Sequence, residues 1–193
     1  GFIPWDDDAD VAFTRNQYDA FMKVVKRELP EGLELLEPDS FRGGKGFYDF
    51  TARIIYKNSR CHEDSPQMAF YEGKLNHLWV DLFVIDRLPA GRAGAAATKF
   101  LHMAVYGMAM AHRDKLDFGK YSLMNKILVG GLATVGRVIP MKAIFAMQKA
   151  LALKDRNSKG RLRYYSNYQP DFLYVTLDKD WCDQVEDIDF EDT

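Results

Sequence analysis

The chain opens with GFIPWDDDADVAF, which sets four carboxylates, Asp6, Asp7, Asp8 and Asp10, within five residues. Carboxylates this close repel one another unless water screens them or a cation sits among their oxygens. The flanks argue against a solvated tail, because Phe2, Ile3, Pro4 and Trp5 precede the acids and Val11 and Phe13 follow them. Asp8, Asp10 and Ala12 alternate with Ala9, Val11 and Phe13, so residues 8–13 read as a short strand with Asp8 and Asp10 on one face. Two carboxylates at that spacing offer hard oxygen ligands to Mg²⁺ or Mn²⁺. Asp6 shares their parity, and Asp7 points the other way. Asp6, Asp8 and Asp10 also match the first ligand positions of an EF-hand loop. Val11 then stands where that loop needs Gly, and Gln17 where it needs Glu, which removes the EF-hand reading.

A third carboxylate lies in HLWVDLFVID (77–86). Asp81 is costly to bury in so apolar a strand unless it is paired or metal-bound. By strand alternation it shares a face with Trp79 and Phe83, while Asp86 faces the other way. Three carboxylates from two adjacent strands are the arrangement that metal-assisted phosphoryl and nucleotidyl transfer uses. The competing reading of Asp81 is an ion pair with Arg53 or another base. Arg53, in the middle of FYDFTARIIY (47–56), can grip a phosphate with two nitrogens, or pair with one of the aspartates. RGGKG (42–46) carries Lys45 but lacks the GxxxxGK[ST] spacing of a phosphate loop and reads as a turn. His62, His77, His102 and His112 have no zinc-like spacing, Cys61 beside His62 has no partner motif, and no GxSxG is present.

These residues need elements to hold them. Thr14 reads as a helix N-cap with Gln17 completing a capping box. Tyr18, Phe21, Met22 and Val25 form one stripe of the helix that follows, and Pro30 stops it. Residues 33–37, 47–56, 68–73 and 77–86 read as strands, the last nearly continuous in apolar residues and so expected at the centre of a sheet. Residues 93–114, 119–136 and 141–154 are Ala-, Leu- and Met-rich and read as helices, the third opened by Pro140. Residues 154–163 read as a basic loop, and 171–177 as a late strand or a packed loop. The order predicts an α+β fold, a mixed sheet flanked by helices with a helical block in the C-terminal half.

Bulk properties narrow the function classes. The 193 residues are 47% hydrophobic and 28% charged, as in an ordinary globular chain. A net charge of −2 makes no electrostatic case for nucleic acid. The charge is uneven: residues 178–193 carry eight acids and one Lys, a net of −7, which leaves +5 on the remainder. That balance suits an anionic small molecule. Two distant cysteines, Cys61 and Cys182, make no disulfide framework and fit a reduced, cytoplasmic setting. The longest uncharged apolar run, Ile127–Gly136, is far short of the roughly 18 residues of a membrane span. Residues 119–153, edged by Lys126, Arg137 and Lys142, carry a second expectation, peripheral membrane contact.

The opening stretch resembles the hallmark (I/F)PWDDDxD segment of the LicD family, with HLWVDLFVIDRLP similar to the family's second signature and WCDQVEDIDFED similar to its C-terminal segment. The resemblance implies a nucleotidyltransferase-like fold, shared with fukutin and fukutin-related protein. It also implies Mg²⁺- or Mn²⁺-dependent transfer of phosphocholine from CDP-choline, or of a related CDP-alcohol's phosphate. The acceptor would be a glycan or lipid-linked glycan such as teichoic acid or lipopolysaccharide, met at the inner face of the membrane. By the family motif Asp8 and Asp10 are metal ligands with Asp6 as helper, Asp81 is the third acid, and Arg53 and Trp5 are substrate contacts. Alternatives are a nucleotidyltransferase acting on a sugar or alcohol phosphate, and a non-catalytic domain of glycan assembly. Val84 stands where the family usually has Pro. The family's Gly-rich segment just upstream of this stretch is not in the sequence. The expectation is one LicD-like domain over 1–193 that lacks that segment and the C-terminal end.

Overall fold

The computed structural model describes residues 9–60, 73–113, 123–168 and 176–178. Six strands form one mixed sheet with helices packed against it, the α+β layout expected from the sequence. Strand β1 (Ala9–Thr14) passes directly into α1 (Arg15–Glu28). The Gln17 side chain makes that sharp junction by accepting from the backbone N–H of Thr14 at 3.1 Å and from its hydroxyl at 2.7 Å. Past Pro30 the chain turns on Gly32, at φ +89°, into β2 (Leu33–Leu36). The stripe predicted on α1 packs on the sheet: Met22, Ala52 and Leu82 form a buried cluster with Tyr18, Phe21, Phe13 and Val80 around it. Phe13 and Phe21 stack at 4.8 Å.

Strand β4 (Leu78–Arg87) is central, as its apolar run predicts. It pairs parallel with β1 over Val80–Ile85, and antiparallel with both β3 (Ala52–Tyr56) and β5 (Leu162–Tyr165). A strand has two edges, so the overlap of these pairings puts β1 alone on one edge and β3 and β5 in series on the other. The gap between them falls at Phe83 and Val84. Asn167 spans it with its side chain, accepting from the Val84 N–H at 2.8 Å and donating to the Leu82 carbonyl at 2.9 Å. Its own carbonyl accepts from the Thr51 hydroxyl at 3.0 Å. β2 extends the sheet beyond β3, and β6 (Thr176–Asp178) beyond β5.

The helical block is α2 (Arg92–Ala109), α3 (Leu123–Gly136) and α4 (Met141–Lys154). A Cβ on Gly136 would lie 2.1 Å from the Met108 carbonyl oxygen, so only glycine lets α2 and α3 approach here. Phe47 and Phe50 insert into this block beside Val105, Met110, Met141 and Ile144.

Two predicted elements change. The strand expected over 47–56 begins only at Ala52. Phe47 and Phe50 are drawn into the helical core, and the Asp49 carboxylate accepts from the Thr51 N–H at 2.9 Å, a local turn that competes with the ladder. The basic loop expected over 154–163 ends early, because Leu162 and Arg163 already belong to β5. Tyr164 of that strand is fully buried against Leu88 and Ala95, which rewards pairing with β4. The turn expected at 42–46 overlaps the end of a 3₁₀ segment, Pro38–Gly44, whose last residues Arg42, Gly43 and Gly44 are left-handed. The strand expected at 68–73 falls on residues of which only Gly73 is described, and Cys61, His62 and Cys182 lie outside the described residues. No described helix is long and apolar enough to cross a membrane.

Candidate functional site

The pairing register assembles the site. On parallel β1 and β4, Asp10 lies directly opposite Asp81; on antiparallel β3 and β4, Arg53 lies directly opposite the same Asp81. Directly opposite residues share a face, so Asp10, Asp81 and Arg53 stand in one row across three strands. This face lies opposite the one α1 covers. Asp10 is exposed, while the side chains of Asp81 and Arg53 keep only 14% and 7% of their accessibility.

Burial of the two inner charges is made possible by a third residue. Arg53 donates from Nη1 and Nη2 to the two carboxylate oxygens of Asp49, at 3.1 and 2.7 Å, and its Nε meets Asp81 Oδ1 at 2.6 Å. The last contact is an ion pair without hydrogen-bond alignment. The guanidinium lies over the Tyr48 ring, 5.3 Å from its centre. Arg113 fastens Tyr48 in turn by donating to its carbonyl. Asp81 Oδ2 accepts only a long bond, 3.4 Å, from the Trp79 indole. Burial pushes the Asp81 carboxyl up to about 6; Asp49 and Asp10 add to the rise, and Arg53 and Trp79 oppose it.

All three Arg53 nitrogens face carboxylates, the pairing that competes in the sequence with a phosphate contact. Asp49 is the participant that sequence reasoning misses. It sits four residues before Arg53 in a segment that reads as a strand, where such a pair points to one face but too far apart to meet. Only the turn at Asp49–Thr51 brings them together. The available signal is the aspartate itself, a poor strand former inside FYDFTARIIY.

The row has more negative than positive charge, with Asp10, Asp81 and Asp49 against Arg53. Its outer donors are carboxylate oxygens, one on an exposed residue and one holding only a weak indole bond. Carboxylate oxygens are the ligand type that hard divalent cations take. Among the described residues, no three His, Cys, Asp or Glu side chains cluster closely enough to hold a metal. The other expected ligands, Asp6 and Asp8, and the expected substrate contact Trp5 lie outside the described residues.

Asp86 faces the other way, as alternation predicts, and serves packing. Arg15 of α1 grips it with Nε at 3.0 Å and with Nη2, and the Ser166 hydroxyl donates to it. Nearby, buried His102 of α2 and Tyr164 of β5 share a hydrogen bond at 2.8 Å. His112 Nε2 caps the carbonyls of Gly136 and Ile139 at 3.1 and 3.0 Å, and His77 bonds the Ser59 carbonyl.

With this geometry in place, a distant likeness gains meaning. Over 89 residues the chain is 27% identical to the lipopolysaccharide cholinephosphotransferase LicD of Haemophilus influenzae. The match covers 46% of this chain and 30% of that protein, so the chain spans under a third of that relative's length. No family model and no solved structure matches the chain.

Proposed function

We propose that this chain belongs to a Mg²⁺- or Mn²⁺-dependent transferase that moves phosphocholine from CDP-choline to a hydroxyl of a cell-surface glycan. The observation that carries the reading is the register that sets Asp10 beside Asp81 on neighbouring parallel strands. The partial likeness to LicD supports the choice of chemistry. Asp10 and Asp81, with Asp8, would hold the cation, and Asp6 would assist. A bound cation would neutralise charge on the donor's phosphate oxygens. Asp49 and Arg53 fix the Asp81 carboxylate so that its oxygen keeps one orientation. The glycan hydroxyl oxygen attacks the choline-bearing phosphorus and gives up its proton to water, the bond from that phosphorus to the bridging oxygen breaks, and CMP leaves with the electron pair.

The test is Asp10→Asn, assayed in the full-length protein with CDP-choline and a glycan acceptor. Transfer should fall by at least about 10²-fold with little change in melting temperature, because Asp10 is exposed. Undiminished transfer in that variant overturns the assignment. CMP as the product separates this reading from a nucleotidyltransferase, which releases pyrophosphate.

A further inference from the structure

The RGGKG segment has no part in the carboxylate row. The structure sets it against α4 instead, across a cavity of about 730 Å³. Gly43, Gly44 and Lys45 form one wall. Lys142, Phe145 and Lys149 form the other, spaced i, i+3 and i+7 so that one helix face looks into the space. Pro140 and Met141 extend the apolar floor, and Asp39 and His112 complete the ionisable lining. The His112 Nε2 is occupied by two carbonyls.

Three lysines therefore converge against one aspartate. Two lysines outside the cleft pair with acids, Lys26 with Glu37 and Lys74 with Glu34. Lys45, Lys142 and Lys149 form no ion pair among the described residues. Lys142 is also placed against stability. It lies in the first turn of a 14-residue helix, at the positive end of the dipole, and no acid accompanies it there. The helix dipole disfavours a cation at this end and favours an anion.

We infer that this cleft is a binding site for a phosphate group carried on a larger molecule. The surplus of two positive charges attracts a phosphate, whether a monoester dianion or a diester monoanion, and its oxygens can take several ammonium donors at once. The Phe145 and Met141 floor receives an apolar body. The site is separate from the carboxylate row. A smaller adjoining cavity shares Asp39, Phe145 and Lys149 and reaches Val84, which points to the sheet face opposite Asp81. The inference therefore does not depend on the transferase reading. Two sources supply this chemistry, a soluble phosphate ester or a lipid headgroup. The exposed Val135 and Val138, just before α4, make the second worth a separate arm.

The experiment is run in EDTA, so that no cation can hold phosphate at Asp10 and Asp81. Pyrophosphate is titrated by calorimetry, and vesicles of phosphatidylglycerol or of phosphatidylcholine are used in sedimentation. Saturable pyrophosphate binding that weakens about tenfold or more in K142Q/K149Q identifies the soluble source. Binding to phosphatidylglycerol vesicles alone, with the same loss, identifies the lipid source. K57Q, at an exposed lysine outside the cleft, should bind as the parent does. The double variant should keep or raise its melting temperature, since it relieves the dipole conflict. No binding in either arm, or undiminished binding by K142Q/K149Q, overturns the inference.

Discussion

Asp81 tolerates an apolar strand because Arg53 stands opposite it, and Arg53 tolerates burial because Asp49 takes its other two nitrogens. The three charges are stable only together. Removing one partner of a buried ion pair leaves an uncompensated charge, which costs about 3–5 kcal/mol. Asp49→Ala should lose stability of that order in urea unfolding, and should also release the Thr51 N–H. Asp49→Asn can keep the bond to Thr51 and one bond to Arg53, so it should cost clearly less. Equal losses in the two variants would show that charge alone, not the hydrogen-bond set, holds Arg53. Asp10, Asp81 and Arg53 were legible because strand parity alone gives side-chain direction. Asp49 was not, because its role needs the chain to leave the strand.

At the scale of elements, the sheet depends on a splice. β3 and β5 meet the same edge of β4 and neither reaches Val84, so Asn167 supplies the donor and acceptor that a continuous strand would have given. Asn167→Ala leaves a buried N–H and a buried carbonyl without partners, at about 1–3 kcal/mol each. Unfolding free energy should fall by about 2–6 kcal/mol, and hydrogen exchange at the Val84 amide should quicken more than at Val80, which lies within the β3 pairing. A loss below about 1 kcal/mol would mean that water replaces the amide without cost. The central position of β4 was readable from its run of apolar residues. The short β5 was hidden because LRYY follows a polar, basic loop and its strand character comes from the burial of Tyr164, a tertiary effect.

Across the whole molecule, two buried groups on opposite faces of the sheet titrate in opposite senses. Burial holds His102 down to about 4 from an ordinary 6.5, with Asp86 opposing, so the unfolded chain binds the extra proton first. Its contribution is present above pH 6.5 and is lost as pH falls toward 4. Burial raises Asp81 from 3.8 to about 6, so the folded chain holds the extra proton. That contribution is present below pH 3.8 and is lost as pH rises through 6. The two nearly offset between pH 4 and 6. In EDTA, relative to the parent, the stability of His102→Gln should decline as pH rises through this window, and that of Asp81→Asn should increase, each by about 3 kcal/mol in total. Parallel curves for both variants would refute the opposed titrations.

The amino-acid order by itself determined the class of fold, the helix cap at Thr14, the centrality of β4 and the side-chain alternation within the separate strands that carry Asp10, Asp81 and Arg53. These follow from periodicity and local hydrogen bonding, which act over a few residues. The tertiary structure alone decided that Asp10 stands beside Asp81, that Asp49 shares Arg53 with it, that Asn167 joins two strands, and that three lysines converge on one cleft. Each of these rests on register or packing between segments distant in sequence, and no local pattern encodes which of several possible partners a strand or helix face will meet.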